Sequence, residues 1–141
     1  MNSLKYFAYF PLFFIVLILY NLMASLGIDF EFTAEPLFNM GLPSGANWSP
    51  TWSGIFIMLG VITLYLELVK STRTGTATSV EHVLSMGVFI LFLLEFLLVK
   101  MAGTSTFLII TLMSLLDVVA GFSITIAASM RDFNMTGGGG N

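Results

Sequence analysis

Apolar residues in this chain are gathered into four long runs that are separated by polar segments. A membrane-spanning helix needs about 20 mostly apolar residues, because each residue rises about 1.5 Å across a hydrocarbon core of about 30 Å. The four runs are long enough, and they do not show the alternating polarity of a membrane β-strand. The pattern therefore predicts an all-α integral membrane protein, a bundle of four transmembrane helices at about residues 4–26, 52–69, 82–99 and 106–129.

The first run also has two features of a signal peptide. Lys5 precedes the apolar residues, and Ser25–Gly27 resembles a cleavage site of small residues. The apolar run is longer than the usual core of about 7–15 residues, however, and three further runs follow it. We therefore expect a retained first helix within a single domain over residues 1–136, followed by a flexible glycine-rich tail at 137–141.

The segments between the runs differ in kind. Residues 28–51 are rich in proline and acidic residues, which predicts a long irregular loop. Thr78 to Glu81 match a capping box that would open the third helix. Gly103 suits the end of that helix and Thr104 or Ser105 suits the N-cap of the next, so the last two helices are predicted to form an antiparallel hairpin.

Basic residues indicate the orientation of these helices. One side of the predicted membrane carries most of them: Lys5, Lys70, Arg73 and Arg131. Only Lys100 falls on the other side. Cytoplasmic loops carry the excess of Lys and Arg, so both termini are predicted to be cytoplasmic and residues 28–51 to face outward. Trp48 and Trp52 lie where an outer aromatic belt is expected.

Composition narrows the possible chemistry. The chain is 57% hydrophobic and 9% charged, whereas a soluble domain is about 25% charged, so a soluble fold is excluded. The absence of cysteine excludes disulfides, thiolate metal sites and iron–sulfur clusters. The single histidine, His82, excludes a bis-histidine haem within one chain, and we expect it to be an inert surface residue beside Glu81. No basic tract is present, so nucleic acid is not an expected partner.

Three carboxylates lie inside the predicted spans: Glu67, Glu95 and Asp117. An Asp at the centre of a membrane helix costs about 2.5–3.5 kcal/mol on insertion scales, and such residues usually face the interior of a bundle. Asp117 belongs to a stripe of small and hydroxyl residues at helical spacing: Thr111, Ser114, Asp117, Gly121 and Thr125. Such stripes let membrane helices approach closely, so this face is predicted to pack against another helix.

A matching stripe runs along the second helix through Ser53, Gly60, Thr63, Glu67 and Lys70. By helical rise, Glu67 lies about 22 Å and Asp117 about 18 Å below the outer face. We therefore predict one polar cluster made of Thr63, Glu67, Ser114 and Asp117, in which one carboxyl holds a proton because both cannot ionise cheaply. Two simpler interpretations stay open. Glu67 and Lys70 suit a snorkelling pair at the interface, and Asp117 suits a hydrogen bond to a hydroxyl group on another helix.

Glu95 has no polar stripe around it, since its neighbours along the chain are Phe and Leu. Asn21 and Tyr20 lie at a comparable depth in the first helix and are the expected hydrogen-bond partners. The alternative is a contact with a residue of another chain.

No arrangement of residues points to catalysis. The chain has no nucleophile–base set, no phosphate-binding glycine loop and no pair of metal ligands at helical spacing, so we expect no catalytic, cofactor or metal site. The acidic loop around Asp29, Glu31 and Glu35 lacks calcium-loop spacing and is expected to be solvated.

The expected function is that of a small non-catalytic subunit, accessory or structural, in a larger complex of a bacterial inner membrane. Its expected partners are the lipid bilayer and other membrane subunits or further copies of the chain. The alternative is a small homo-oligomeric transporter or channel in which Asp117 and Glu67 carry protons or cations.

Overall fold

The protein is mostly helical in the computed structural model, which describes residues 10–72 and 77–137. Its four α-helices within these ranges are α1 (Leu12–Ser25), α2 (Trp52–Ser71), α3 (Ala77–Leu98) and α4 (Ser105–Gly137). Three of them contain segments that are long and apolar enough to cross a membrane, namely Trp52–Ser71, Val80–Leu98 and Ser105–Arg131. The remaining helix, α1, is apolar but shorter.

The start of α1 corrects the sequence prediction. The helix begins at Leu12 rather than at residue 4, because Pro11 is its N-cap with extended backbone (φ −73°, ψ 120°). Proline has no N–H to continue the hydrogen bonding of a preceding turn, so a helix starts well just after it. Residues 1–9, and with them Lys5, lie outside the described residues.

A glycine ends α1. Gly27 has a φ of +93°, which favours glycine over residues with a Cβ atom. The N–H of Ile28 donates to Met23 and the N–H of Gly27 to Ala24, each over 3.1 Å, which is the hydrogen-bond pattern of a Schellman motif. This motif turns the chain out of the helix and into the connection at 28–51.

The other predicted boundaries also shift. α3 begins at Ala77 rather than at residue 82, and α4 continues to Gly137 rather than ending at 129. The side chains of Thr78 and Ser79 lie outside the described residues, as do Arg73 and residues 138–141, so the capping box stays a prediction. The predicted N-cap of α4 is confirmed, since Thr104 Oγ1 accepts the N–H of Phe107 at 3.1 Å.

The connection at 28–51 is largely irregular, as predicted, but it contains a small hairpin that the pattern did not indicate. Strand β1 (Met40–Gly41) pairs antiparallel with β2 (Asn47–Trp48), with Met40 opposite Trp48. Gly45 has a φ of +87° in the turn between them. Two-residue strands are too short to show an alternating pattern.

The helices pack so that α4 contacts both α2 and α3, while α1 contacts α2 and α3. The interior near the 28–51 connection is aromatic: the ring of Tyr20 stacks on Phe30 at 4.3 Å and meets Phe107 at 4.8 Å. The Tyr20 hydroxyl donates to the carbonyl of Met101 at 3.2 Å and lies 2.7 Å from Thr104 Oγ1. The charged side chains of the interior lie at the opposite end of the helices, where α1 begins and α2 ends.

Candidate functional site

Four charged side chains meet at this opposite end, and we call them the charged cluster: Glu67 and Lys70 of α2, Glu81 of α3 and Asp117 of α4. The carboxylate residues are almost fully buried, with 1% of Glu67, 7% of Glu81 and 5% of Asp117 exposed. The Lys70 side chain is 13% exposed. Ionisable groups within a membrane-spanning region are costly, so their burial against one another is the arrangement expected of them.

Glu67 of α2 binds the backbone at the first turn of the neighbouring helix α1. Its Oε1 accepts the N–H of Leu12 at 2.8 Å and the ammonium of Lys70 at 3.2 Å. Leu12 is the first residue of α1, where backbone N–H groups have no partner within the helix. The positive end of the helix dipole adds to the attraction for a carboxylate at this position.

Lys70 holds the backbone on the other side of Pro11. Its Nζ donates to the carbonyl of Phe10 at 2.7 Å and forms a longer ion pair with Glu81 Oε1 at 3.7 Å. Together, the bonds from Glu67 to Leu12 and from Lys70 to Phe10 fasten the chain on both sides of the proline. We call these two bonds the Pro11 clamp.

Asp117 and Glu67, which the two stripes were predicted to bring into one polar cluster, are both buried within the helices. Asp117 is buried and lies close enough to Glu67, Lys70 and Glu81 to interact with them electrostatically.

Glu81 is the member of the cluster that the sequence interpretation missed. We expected it at a helix end on the surface, but it is buried and forms the ion pair with Lys70. Its Oε1 has no hydrogen-bond partner within the described part of the chain. The spacing of the buried residues Glu81, Ser85, Val88 and Phe92 was the available signal, since their steps of 4, 3 and 4 place them on one face of α3.

Both hydroxyl residues of the predicted polar cluster, Thr63 and Ser114, are buried, and Thr63 uses its proton within its own helix, as does Thr111 of the α4 stripe. Thr63 donates to the carbonyl of Leu59 and Thr111 to that of Phe107, each over 2.8 Å. Such bonds to the preceding turn are common for Thr in helices. Ser114 is buried on the same face of α4 as Asp117.

Two glycines of the stripes lie where helices come close. A Cβ atom at Gly60 would lie 2.7 Å from Met113 Sδ, and one at Gly121 would lie 2.8 Å from His82 Cε1. His82 is therefore not the surface residue that we expected: it is buried against α4 and stacks on Phe122 at 5.0 Å. The side chain of Thr125 lies outside the described residues.

Glu95 finds its partner within the chain. Asn21 Nδ2 donates to Glu95 Oε2 at 2.8 Å and to the carbonyl of Leu17 at 2.9 Å. This is one of the two hydrogen bonds that the sequence predicted; Tyr20 bonds to Met101 and Thr104 instead. The lone acid in a leucine-rich segment therefore links α3 to α1.

Nothing in the described ranges assembles three or more His, Asp or Glu side chains in a geometry that could hold a metal ion. Comparison of the chain with protein-family models, curated proteins and solved structures finds no match.

Proposed function

We propose that this chain is a small non-catalytic integral membrane protein that serves as an accessory or structural subunit of a larger complex in a bacterial inner membrane. The Pro11 clamp is the observation that supports this function. Glu67 and Lys70, which are costly to bury, are bonded to the backbone of Leu12 and Phe10. Charged groups committed to the chain's own backbone serve to hold a fold together.

We further propose that the chain crosses the membrane four times, with residues 4–26 as the first crossing and both termini in the cytoplasm. α1 contacts α2 and α3. By itself it extends only about 21 Å, at 1.5 Å per residue, so residues before Pro11 would complete the crossing. The distribution of Lys and Arg supports the orientation, because the 28–51 connection contains neither.

The remaining surface of the described residues suits lipid and apolar partner helices. Large apolar side chains point outward along the long helices, among them Tyr65 (65% exposed), Val83 (70%) and Leu98 (78%). Two apolar grooves of about 540 and 520 Å³ run between α1 and α3 and between α3 and α4. A partner within the membrane would therefore meet apolar helix faces.

The subunit proposal is tested by isolating the chain from its native membrane in a mild detergent. We expect a tagged copy at native expression to co-purify with a defined set of larger membrane proteins in constant ratio. A tagged unrelated membrane protein of similar size is the control for detergent carry-over. Recovery of the chain alone, or only with further copies of itself, would contradict an accessory role.

Transport is the second candidate function, and the burial of the two carboxylates Glu67 and Asp117 within the helices favours it. In proteoliposomes containing the purified chain, a transporter would pass protons or cations, and Asp117→Asn would abolish the flux while leaving assembly intact. Glu35→Gln is the matched control, since Glu35 is an exposed carboxylate of the 28–51 connection. The accessory role instead predicts no flux from the unmodified chain.

A further inference from the structure

The charged cluster contains more carboxylates than cations. The ammonium of Lys70 lies 3.2 Å from Glu67 Oε1 and 3.7 Å from Glu81 Oε1, and Asp117 adds a third buried carboxylate within electrostatic range of it. The positive end of α1 adds only about half an elementary charge. Three ionised carboxylates would therefore leave a net negative charge in a buried site, which is unfavourable.

A second observation shows that the site has an unused acceptor. Glu81 is more than nine-tenths buried, and its Oε1 is directed toward Lys70 at 3.7 Å, too far for a hydrogen bond. Buried polar atoms without a partner are rare in native structures, and each calls for a proton, a water molecule or an ion.

We propose that the charged cluster is a binding site for one exchangeable proton, which is held among Asp117, Glu67 and Glu81. A hydronium ion of the aqueous phase gives up the proton and becomes water, the proton forms an O–H bond on one carboxyl oxygen, and a second carboxylate accepts the hydrogen bond. Glu81 Oε1, which has no hydrogen-bond partner within the described part of the chain, is an acceptor available to this bond.

A proton fits this site better than a metal ion. The described carboxylates are not arranged as metal ligands, and the ammonium of Lys70 already occupies the position between Glu67 and Glu81. A second cation there would be repelled at close range. A proton binds to a single oxygen and needs no coordination shell.

Every helix packed around the site contributes to its electrostatics. α1 presents the N–H of Leu12, the residue before Pro11 presents the carbonyl of Phe10, and α2 presents Glu67 and Lys70. α3 presents Glu81 together with the buried ring of His82, which contacts α4 beside Gly121. α4 presents Asp117.

Infrared spectroscopy of the full chain in lipid nanodiscs tests the proposal. At neutral pH we expect the carbonyl stretch of a protonated carboxyl group, shifted in D₂O because the proton exchanges. Asp117→Asn and Glu81→Gln should each remove or weaken this band, since each variant takes one carboxylate from the cluster. Circular dichroism of each variant checks that the helices are retained.

Two carboxylates outside the cluster provide matched controls. Glu95→Gln removes a carboxylate that is bonded to Asn21, and Glu35→Gln removes an exposed one. Neither should alter the band.

The proposal is overturned if the unmodified chain shows no such band, or if the band persists undiminished in either Asp117→Asn or Glu81→Gln when that variant is folded. It is also overturned if sodium displaces the band at constant pH when choline does not, because the site would then bind an alkali cation. If Asp117→Asn does not fold, the spectrum of the unmodified chain and that of Glu81→Gln still decide. The result is independent of whether the chain is an accessory subunit.

Discussion

Lys70 is the residue on which the stability of the charged cluster most depends. A single ammonium serves two carboxylates, Glu67 and Glu81, and the carbonyl of Phe10. The long stem of a lysine lets its charge reach from one helix to the start of another. Because these partners have no second cation within the described cluster, the loss of this side chain would leave several charges uncompensated at once.

Replacement of Lys70 by Met should therefore be strongly destabilising. We expect Lys70→Met to lower the free energy of unfolding by about 3–5 kcal/mol, the cost of breaking a buried ion pair by removing one partner. The measurement is denaturant unfolding in a mild detergent, followed by circular dichroism. Lys100→Met is the matched control, because Lys100 is exposed, and it should change the stability by no more than about 0.5 kcal/mol. Equal effects of the two substitutions would contradict the role assigned to Lys70.

The hydrogen bond between Asn21 and Glu95 is a separate residue-scale link between α1 and α3. In a double-mutant cycle with Asn21→Leu and Glu95→Leu, we expect a coupling free energy of about 0.6 kcal/mol and no more than about 1.7 kcal/mol, the average and the maximum found for hydrogen bonds between membrane helices. The same unfolding measurement applies. A parallel cycle that pairs Asn21→Leu with Glu35→Leu should show no coupling, since Glu35 is exposed on the 28–51 connection. A coupling near zero for Asn21 and Glu95 would mean that the bond does not form in the membrane.

At the scale of helices, close approach is controlled by small residues in the stripes. Gly121 allows the ring of His82 to pack directly on the backbone of α4, whereas Gly87 of α3 has open space where a Cβ atom would lie. The two positions thus differ in packing, although both are glycines within helices.

Alanine substitution at these two positions should have opposite effects. Gly121→Ala places a Cβ atom 2.8 Å from His82 Cε1, so the ring has to shift, and we expect a loss of about 1–3 kcal/mol in stability. Gly87→Ala gains helix propensity without a clash and should stabilise the protein by up to about 1 kcal/mol. Thermal unfolding in detergent compares the two. If Gly121→Ala is as well tolerated as Gly87→Ala, the ring of His82 does not pack directly on the backbone of α4 at Gly121.

At the scale of the whole molecule, the two ends of the helices differ in chemistry. Tyr20, Phe30 and Phe107 fill the end that the 28–51 connection covers, and the charged cluster fills the other. The proposed orientation places the charged cluster on the cytoplasmic side and the aromatic end outside. This assignment is open to direct measurement.

Single cysteines can report the orientation without a background signal, because the chain contains no native cysteine. In intact spheroplasts we expect an impermeant maleimide to label Ser44→Cys in the 28–51 connection. It should label Asn134→Cys, near the end of α4, only after the membrane is opened. If only Asn134→Cys is labelled in intact spheroplasts, the orientation of the chain is the opposite of the proposed one. Labelling of both in intact spheroplasts would place residues 44 and 134 on the same side of the membrane.

Much of the fold was predictable because it follows from local patterns. The apolar runs predicted α2, α3 and α4 as helical segments, and Thr104 was predicted as an N-cap. The start of α1 was predicted wrongly, although Pro11 was visible in the sequence. The apolar run continues through Pro11, so hydropathy alone shows no boundary there. The helix nevertheless starts after Pro11, because proline lacks the N–H that a helix would need at this position.

The site was predictable only in part. Glu67 and Asp117 stood out because each is a carboxylate within an apolar helix and belongs to a stripe of small residues. Glu81 and His82 did not stand out, because both lie at the end of an apolar run, where charged residues normally meet water. Their burial follows from the earlier start of α3 at Ala77, which places them inside the helix rather than at its first turn.

Composition and periodicity alone therefore established a helical, membrane-type chain and identified two inward carboxylates, because burial in lipid imposes apolar length and helical spacing on any sequence. Tertiary packing alone decided that Lys70 and Glu67 fasten the backbone beside Pro11, and that Glu81 joins Asp117 around a single ammonium. These contacts join residues that are far apart in the chain. Their formation depends on how the helices are placed against one another, which no local pattern encodes.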